Sequence, residues 1–224
     1  MSSEYVFDRD RKARIGMDEV VFCLPKTPEQ ISEAVTYAQA NTERMLFTRL
    51  EPEKHAKLPS ETRALFNYDE RSHIALFGDV PEAEGTTQVA IVTAGTSDMR
   101  VALEAQQTLS YYAQASDLYG DIGVAGLWRL LERREKLEHY PIIIAVAGME
   151  GAIFSVLAGL IGNVVIAVPT STGYGIAAGG HTALASALGG CSQGVVSVNI
   201  DNGFGAACAA LRICNAFSLT SGKQ

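Results

Sequence analysis

Strong charge of one sign, paired cysteines, metal-ligand clusters and tryptophan are all scarce in this chain of 224 residues, and each scarcity excludes something. Lys and Arg number 18 against 25 Asp and Glu, a net charge of −7 with no basic run, so the chain is a poor candidate for gripping nucleic acid through phosphates. The four cysteines, Cys23, Cys191, Cys208 and Cys214, form no CxxC pair, which argues against a zinc ribbon and against a disulfide framework. They read as free thiols in a reducing cytoplasm. No ligand cluster for a metal is evident, and the sequence leaves Mg²⁺ assistance open. The first 16 residues, MSSEYVFDRDRKARIG, are too charged for the apolar core of a secretory signal, so a cytoplasmic protein is expected.

An uncharged run of 19 residues from Gly151 to Pro169 approaches the length of a membrane span. Gly159, Gly162 and Asn163 interrupt it, and it divides into a short helix and a β-branched strand, as buried α/β layers do. No membrane partner is expected. With 47% hydrophobic and 19% charged residues the composition is that of a globular protein long enough to bury a core without staples.

What is present is a contrast between segments. From Pro141 to Gln224 the only charged side chains are Glu150, Asp201, Arg212 and Lys223, and the same stretch holds 14 of the 21 glycines. So little ordinary surface implies packing on a sheet and then on other subunits, which predicts a homo-oligomer. The first part, residues 1–85, reads as a small α/β domain. It has a strand at Val20–Cys23, a helix opened by the capping-box pattern Thr27-Pro28-Glu29-Gln30, and strands at Met45–Leu50 and Ser72–Phe77. The polar stretch Pro81–Thr87 reads as a linker. Residues 86–218 then alternate: strands at Val89–Thr93, Ile142–Ala147, Val164–Val168 and Val195–Ile200, and helices at Asp98–Ala113, Gly126–Glu138, Gly151–Leu160, Gly179–Leu188 and Gly203–Phe217. Continuous Val/Ile strands alternating with helices predict an α/β fold, a doubly wound parallel sheet with helices on both faces. Residues 219–224 read as a flexible tail.

In such a sheet ligands bind beyond the carboxyl ends of the strands. Four loops fall there. Gly95-Thr96-Ser97-Asp98 combines a glycine, two hydroxyls and a helix start, which suits a phosphate but equally an ordinary N-cap. Gly148-Met149-Glu150-Gly151 carries one of the two acids of the last 84 residues; in a pocket of low polarity Glu150 would shuttle protons near neutrality, and otherwise it stabilises a helix start. Thr170-Ser171-Thr172-Gly173-Tyr174-Gly175 supplies three hydroxyls, and Asp201-Asn202-Gly203 opens the last helix, though it is also a common turn. Neither ends in the GK[ST] of a Walker loop. Cys191, flanked by Gly190 and Ser192, is open to ligand approach, though the residues alone read it as a structural thiol somewhat more readily than as a catalytic one; Cys208 and Cys214 sit in an apolar helix and read as core.

Taken together, TAGTSD, AGMEGAIFSVLAGL, VPTSTGYG and VNIDNGFGAACAA, in this order, resemble aminoimidazole ribonucleotide carboxylase/mutase enzymes. The chain resembles more fully the nickel-pincer nucleotide biosynthesis carboxylase/hydrolase family, a relative with an added N-terminal domain. Asp8, Arg11, Arg14, Gly16, Glu19, Phe22, Lys26, Thr27 and the later Thr48-Arg49 match motifs of that domain, and Cys191 matches its cysteine before the last strand. Where the purine enzymes carry a histidine in an SAHR-like segment, this chain has Asp121–Gly126 and no histidine. It departs from the pincer family at Gly190, where Ser is expected, and at Asp18, where Pro is usual.

The resemblance implies carboxylation of the pyridinium ring of nicotinic acid adenine dinucleotide by carbon dioxide or bicarbonate, and hydrolysis of its phosphoanhydride. The products would be pyridinium-3,5-biscarboxylic acid mononucleotide and AMP, made by an octamer without a tightly bound cofactor. It also implies Cys191 as nucleophile and Glu150 as proton-abstracting base, with Asp98 and Asp201 orienting substrate or water. The loops at Gly95–Asp98 and Thr170–Gly175 would hold phosphate and ribose; Arg14, Glu19, Lys26 and Arg49 are assigned no role. The alternatives are a purine-type carboxylase/mutase and a non-catalytic dinucleotide-binding module.

Overall fold

The computed structural model describes residues 6–41, 43–83 and 85–221, with side chains as far as residue 217. The chain divides into two compact units, Met1–Glu82 and Ala83–Gln224, the division falling inside the stretch read as a linker.

In the first unit, helix α1 (Arg11–Ile15) precedes strand β1 (Val21–Phe22), helix α2 (Pro28–Ala40) and strand β2 (Met45–Thr48). Short helices α3 (Pro52–Ala56) and α4 (Ser60–Ala64) lead to strands β3 (Phe66–Asp69) and β4 (Ile74–Phe77). The sheet order is β1-β2-β4-β3, with β1 and β2 parallel and the other pairs antiparallel. Helix α2 starts where its capping box predicts: the Gln30 N–H donates to Thr27 Oγ1 and the Thr27 N–H to Gln30 Oε1. Its buried stripe, Ile31, Ala34, Val35 and Ala38, recurs at helical spacing and packs on Val21, Met45 and Phe47 of the sheet. Strand β3 and the three short helices were not anticipated, because Phe66-Asn67-Tyr68-Asp69 is only half-buried at the sheet edge and shows no apolar run.

The second unit carries strands β5 (Val89–Thr93), β6 (Ser116–Tyr119), β7 (Ile142–Ala147), β8 (Val164–Pro169) and β9 (Val195–Ser197), all parallel, in the order β6-β5-β7-β8-β9. Its helices are α5 (Met99–Tyr111), α6 (Leu127–Leu131), α7 (Arg134–Leu137), α8 (Ala152–Leu160), α9 (His181–Gly189) and α10 (Gly203–Ser221). Every residue of β5 and β7 is buried, which is what a sheet covered on both faces demands of its sequence. Ala90, Val92, Ile143, Ala145 and Val165 form one core with Ile153, Phe154 and Leu157 of α8 and Ala183 and Ala187 of α9. The other face is covered by α5 and α10, which pack against each other.

The sequence reading is corrected at β6, at the helix before β7 and at the last strand and helix. Strand β6 was missed, since Ser-Asp-Leu-Tyr is a polar edge strand with Asp117 exposed. The single helix expected over Gly126–Glu138 is two short helices after a 3₁₀ turn at Val124–Gly126, because only Leu130 and Leu137 anchor it to the core and the intervening residues face water. Strand β9 stops at Ser197 rather than Ile200, and α10 continues to Ser221, so the tail read at 219–224 begins as helix and its last three residues lie outside the described ones. The run from Gly151 to Pro169 is α8 followed by β8, and no helix among the described residues is long and apolar enough to cross a membrane.

Candidate active site

The strand order reverses between β5 and β7, since β5 is flanked by β6 on one side and β7 on the other. At such a switch point the loops leaving adjacent strands run in opposite directions and leave a crevice. A cavity of about 530 Å³ opens there, lined by Gly95, Ser97 and Asp98 after β5, by Gly148–Ala152 after β7, and by Thr172–Tyr174 after β8. Gly123, Val124 and Ala125 close a further side.

Asp98 ties these loops together. Its Oδ2 accepts the Gly95 N–H at 2.9 Å; its Oδ1 accepts the Gly148 N–H at 3.1 Å and the Thr170 hydroxyl at 2.6 Å. Asp98 is 3% exposed and Thr170 1%. Burial raises the Asp98 pKa above the ordinary aspartate value, opposed by those three hydrogen bonds, and the nearby Asp201 charge adds to the rise. Gly148 is required sterically, because a Cβ there would collide with the Thr172 carbonyl and the Thr170 hydroxyl. The Met149 N–H in turn donates to Thr172 O at 2.8 Å, fixing the second loop against the third.

Glu150 lines the cavity but is exposed, so the low-polarity environment expected for it belongs to Asp98 instead. Met149, Gly151, Gly173 and Tyr174 line the cavity as well. Thr96, Ser171, Gly175, Asp201, Asn202 and Gly203 do not, and Thr170 lies beneath it. Asp201 Oδ1 accepts the Ser171 N–H at 2.9 Å and faces Arg100 at 3.7 Å, while Asn202 Oδ1 accepts the Gly205 N–H at 2.8 Å, capping α10. These residues support the third loop. Arg100 was missed, having no motif around it; the Gly123–Ala125 wall was noted only as a departure from a family pattern.

Cys191 is the exposed thiol of the four: Cys23 and Cys214 are buried, Cys208 half-buried. Burial pushes Cys23 up to about 12 and raises Cys214. Within one chain Cys191 does not line the cavity. It lies between α9 and β9, with the neighbouring Ser192 hydroxyl donating to Ser155 O of α8 at 2.8 Å.

The N-terminal motif residues serve the first unit. Arg14 makes a two-pronged contact with Asp8 at 2.8 and 2.6 Å, holding that carboxyl below the usual range, and Glu19 Oε2 accepts the Asp8 N–H at 2.6 Å. Arg49, with φ of +55°, sets its guanidinium 5.6 Å from the Phe22 ring centre. The Lys26 N–H donates to Cys23 O at 3.0 Å. Asp18 faces Lys12 at 3.6 Å and Arg44 at 3.7 Å, so the residue standing where Pro is usual is held in ion pairs.

A parallel α/β sheet with backbone amides, hydroxyls and two carboxylates around a switch-point cavity has the chemistry that a small molecule and a proton transfer call for. The chain belongs to the AIR carboxylase family, which it matches over residues 88–221, preceded by a LarB/PurE-like N-terminal domain over residues 4–79. A protein of Methanocaldococcus jannaschii, itself named as uncharacterized, is 38% identical over 208 residues, covering 89% of this chain and 79% of that protein.

Proposed function

We propose that this carboxylase-family protein carboxylates the pyridinium ring of nicotinic acid adenine dinucleotide and hydrolyses the phosphoanhydride. The observation that carries the reading is the cavity organised by Asp98, with the free carboxylate of Glu150 at its rim, in a chain that also has the LarB/PurE-like N-terminal domain. A pyridinium ring is electron-poor and does not attack carbon dioxide. Addition of the Cys191 thiolate to the ring carbon para to nitrogen gives a neutral dihydropyridine whose free meta carbon is an enamine nucleophile. That carbon forms a bond to carbon dioxide, Glu150 takes its proton, and departure of the thiolate restores the aromatic ring. Water then cleaves the phosphoanhydride, leaving the biscarboxylated mononucleotide and AMP. Asp98 orients the loops on which the substrate rests.

The reading includes a homo-oligomer, an octamer, in which Cys191 meets the cavity of a neighbouring copy. Its support is the apolar surface on both parts: Tyr174 and Ile176 beside the cavity are 78% and 96% exposed in the single chain, and Leu188 and Val196 flanking Cys191 are 71% and 50% exposed.

The test is mass spectrometry of the full-length protein incubated with the dinucleotide and ¹³C-bicarbonate. The expected result is AMP plus a mononucleotide bearing one labelled carboxyl group. Turnover of aminoimidazole ribonucleotide in its place assigns the purine-type reaction, and recovery of intact dinucleotide assigns a binding module.

A further inference from the structure

The geometry points to a second nucleotide subsite, outside the switch-point cavity, that holds the adenylate half of a dinucleotide on Trp128. The inference rests on the dinucleotide reading above. It starts from the segment after β6. The Asp121 N–H donates to Thr93 Oγ1 at 3.0 Å and the Gly123 N–H to Ala94 O at 2.8 Å, which pins this segment across the end of β5. On one side Gly123, Val124 and Ala125 line the switch-point cavity. Gly120, Asp121 and Ile122, with Trp128, Arg129, Glu132 and Arg133, line another cavity of about 370 Å³. One stretch of backbone is therefore a wall of both.

The two cavities differ in chemistry. The described residues lining the first include no Lys or Arg, although a dinucleotide carries two phosphates. The second brings two arginines beside the chain's only tryptophan, whose side chain is 62% exposed. Arg129 is engaged by Asp121, whereas Arg133 is exposed and has no ion pair among the described residues. An indole face suits stacking on a purine, Arg133 suits a phosphate, and the exposed carboxylate of Glu132 suits ribose hydroxyls. The competing occupant of Trp128 is a second copy of the chain, since Leu127 and Leu131 beside it are also exposed. The charged ring of Arg129, Glu132 and Arg133 favours the nucleotide, because charged groups are depleted at the desolvated centre of protein interfaces.

A single tryptophan makes the test direct. AMP is titrated into the full-length protein while Trp128 emission is followed, with nicotinic acid mononucleotide as the control. AMP should quench the emission saturably and the control should not. By equilibrium dialysis, Trp128→Leu and Arg133→Gln should each weaken AMP binding about tenfold or more, the size expected for losing a stacking platform or a phosphate contact. The two variants touch exposed side chains, and circular dichroism checks their folding. Emission unmoved by saturating AMP, or a Trp128 that acrylamide does not reach in the assembled protein, overturns the subsite. Carboxylated product from a protein whose Trp128 ignores AMP defeats the subsite alone. AMP bound at Trp128 without any carboxylated product defeats the proposed reaction and leaves the subsite standing.

Discussion

Replacing Asp98 by alanine removes one acceptor group from three donors at once. Two of these, the Gly148 N–H and the Thr170 hydroxyl, are buried, and alanine leaves both without that partner. An orphaned buried donor costs about 1–3 kcal/mol, so the two together cost roughly 2–6 kcal/mol. Relief of carboxylate desolvation, the cause of the raised Asp98 pKa, offsets part of this, leaving a net loss of about 2–4 kcal/mol. For a unit of this size that corresponds to a fall in Tm of roughly 4–16 °C. Asp98→Asn should lose less. Its remaining oxygen can still serve Gly148 and Thr170, and only the Gly95 N–H then faces an amide that donates rather than accepts. Urea unfolding of the three proteins measures the difference, with native-state hydrogen exchange at the Gly148 amide as a local probe. An alanine variant within about 0.5 kcal/mol of the parent, or an asparagine variant less stable than alanine, would refute the view of Asp98 as the clamp.

The proposed chemistry predicts that Glu150→Gln lowers carboxylation by roughly two to four orders of magnitude, as loss of a general base does, and that Cys191→Ser abolishes both turnover and any dihydropyridine absorbance. Activity retained in either variant, measured by ¹³C incorporation, moves that role elsewhere. Phe154→Ala empties a fully buried site in the core between α8 and the sheet and should cost about 3–5 kcal/mol in urea unfolding. The pH profile has a sign. The Asp98 pKa is raised on folding, so as pH falls toward the ordinary carboxylate range the folded chain binds a proton that the unfolded chain does not, and this group's contribution to stability rises. Asp8, lowered by Arg14, contributes in the opposite sense, and its contribution is lost on acidification. Tm followed from pH 7 down toward about 4 in Asp98→Asn should therefore lack the upward term present in the parent; parallel profiles contradict it.

The core was legible because its strands state their environment: Val89-Ala90-Ile91-Val92-Thr93 and Ile142-Ile143-Ile144-Ala145-Val146-Ala147 are aliphatic without alternation, and only a sheet covered on both sides uses such runs. Edge elements were not, since β3 and β6 are short, half-exposed and polar, and their existence rests on pairing with a neighbour rather than on their own pattern. The site divides the same way. Its loops could be found from strand ends and glycines, but the standing of Asp98 depends on partners 50 and 72 positions away, and a Thr-Ser-Asp before a helix reads locally as a cap. Glu150 is rare in its segment, yet rarity says nothing of exposure, and its side chain is exposed where it lines the cavity.

Helix α10 is the last element of the second unit, and it covers aliphatic strands β7 and β8 together with α5. Those strands have no polar face to turn outward, so a chain cut before Gly203 would present Ile and Val side chains of β7 and β8 to water. Such a fragment is expected to be sticky rather than merely less stable, drawn into cross-strand association by a surface that evolution has had no occasion to make soluble. Shortened versions made for expression should therefore trim from the other end, and proteolysis within α10 should leave a product that seeds precipitation.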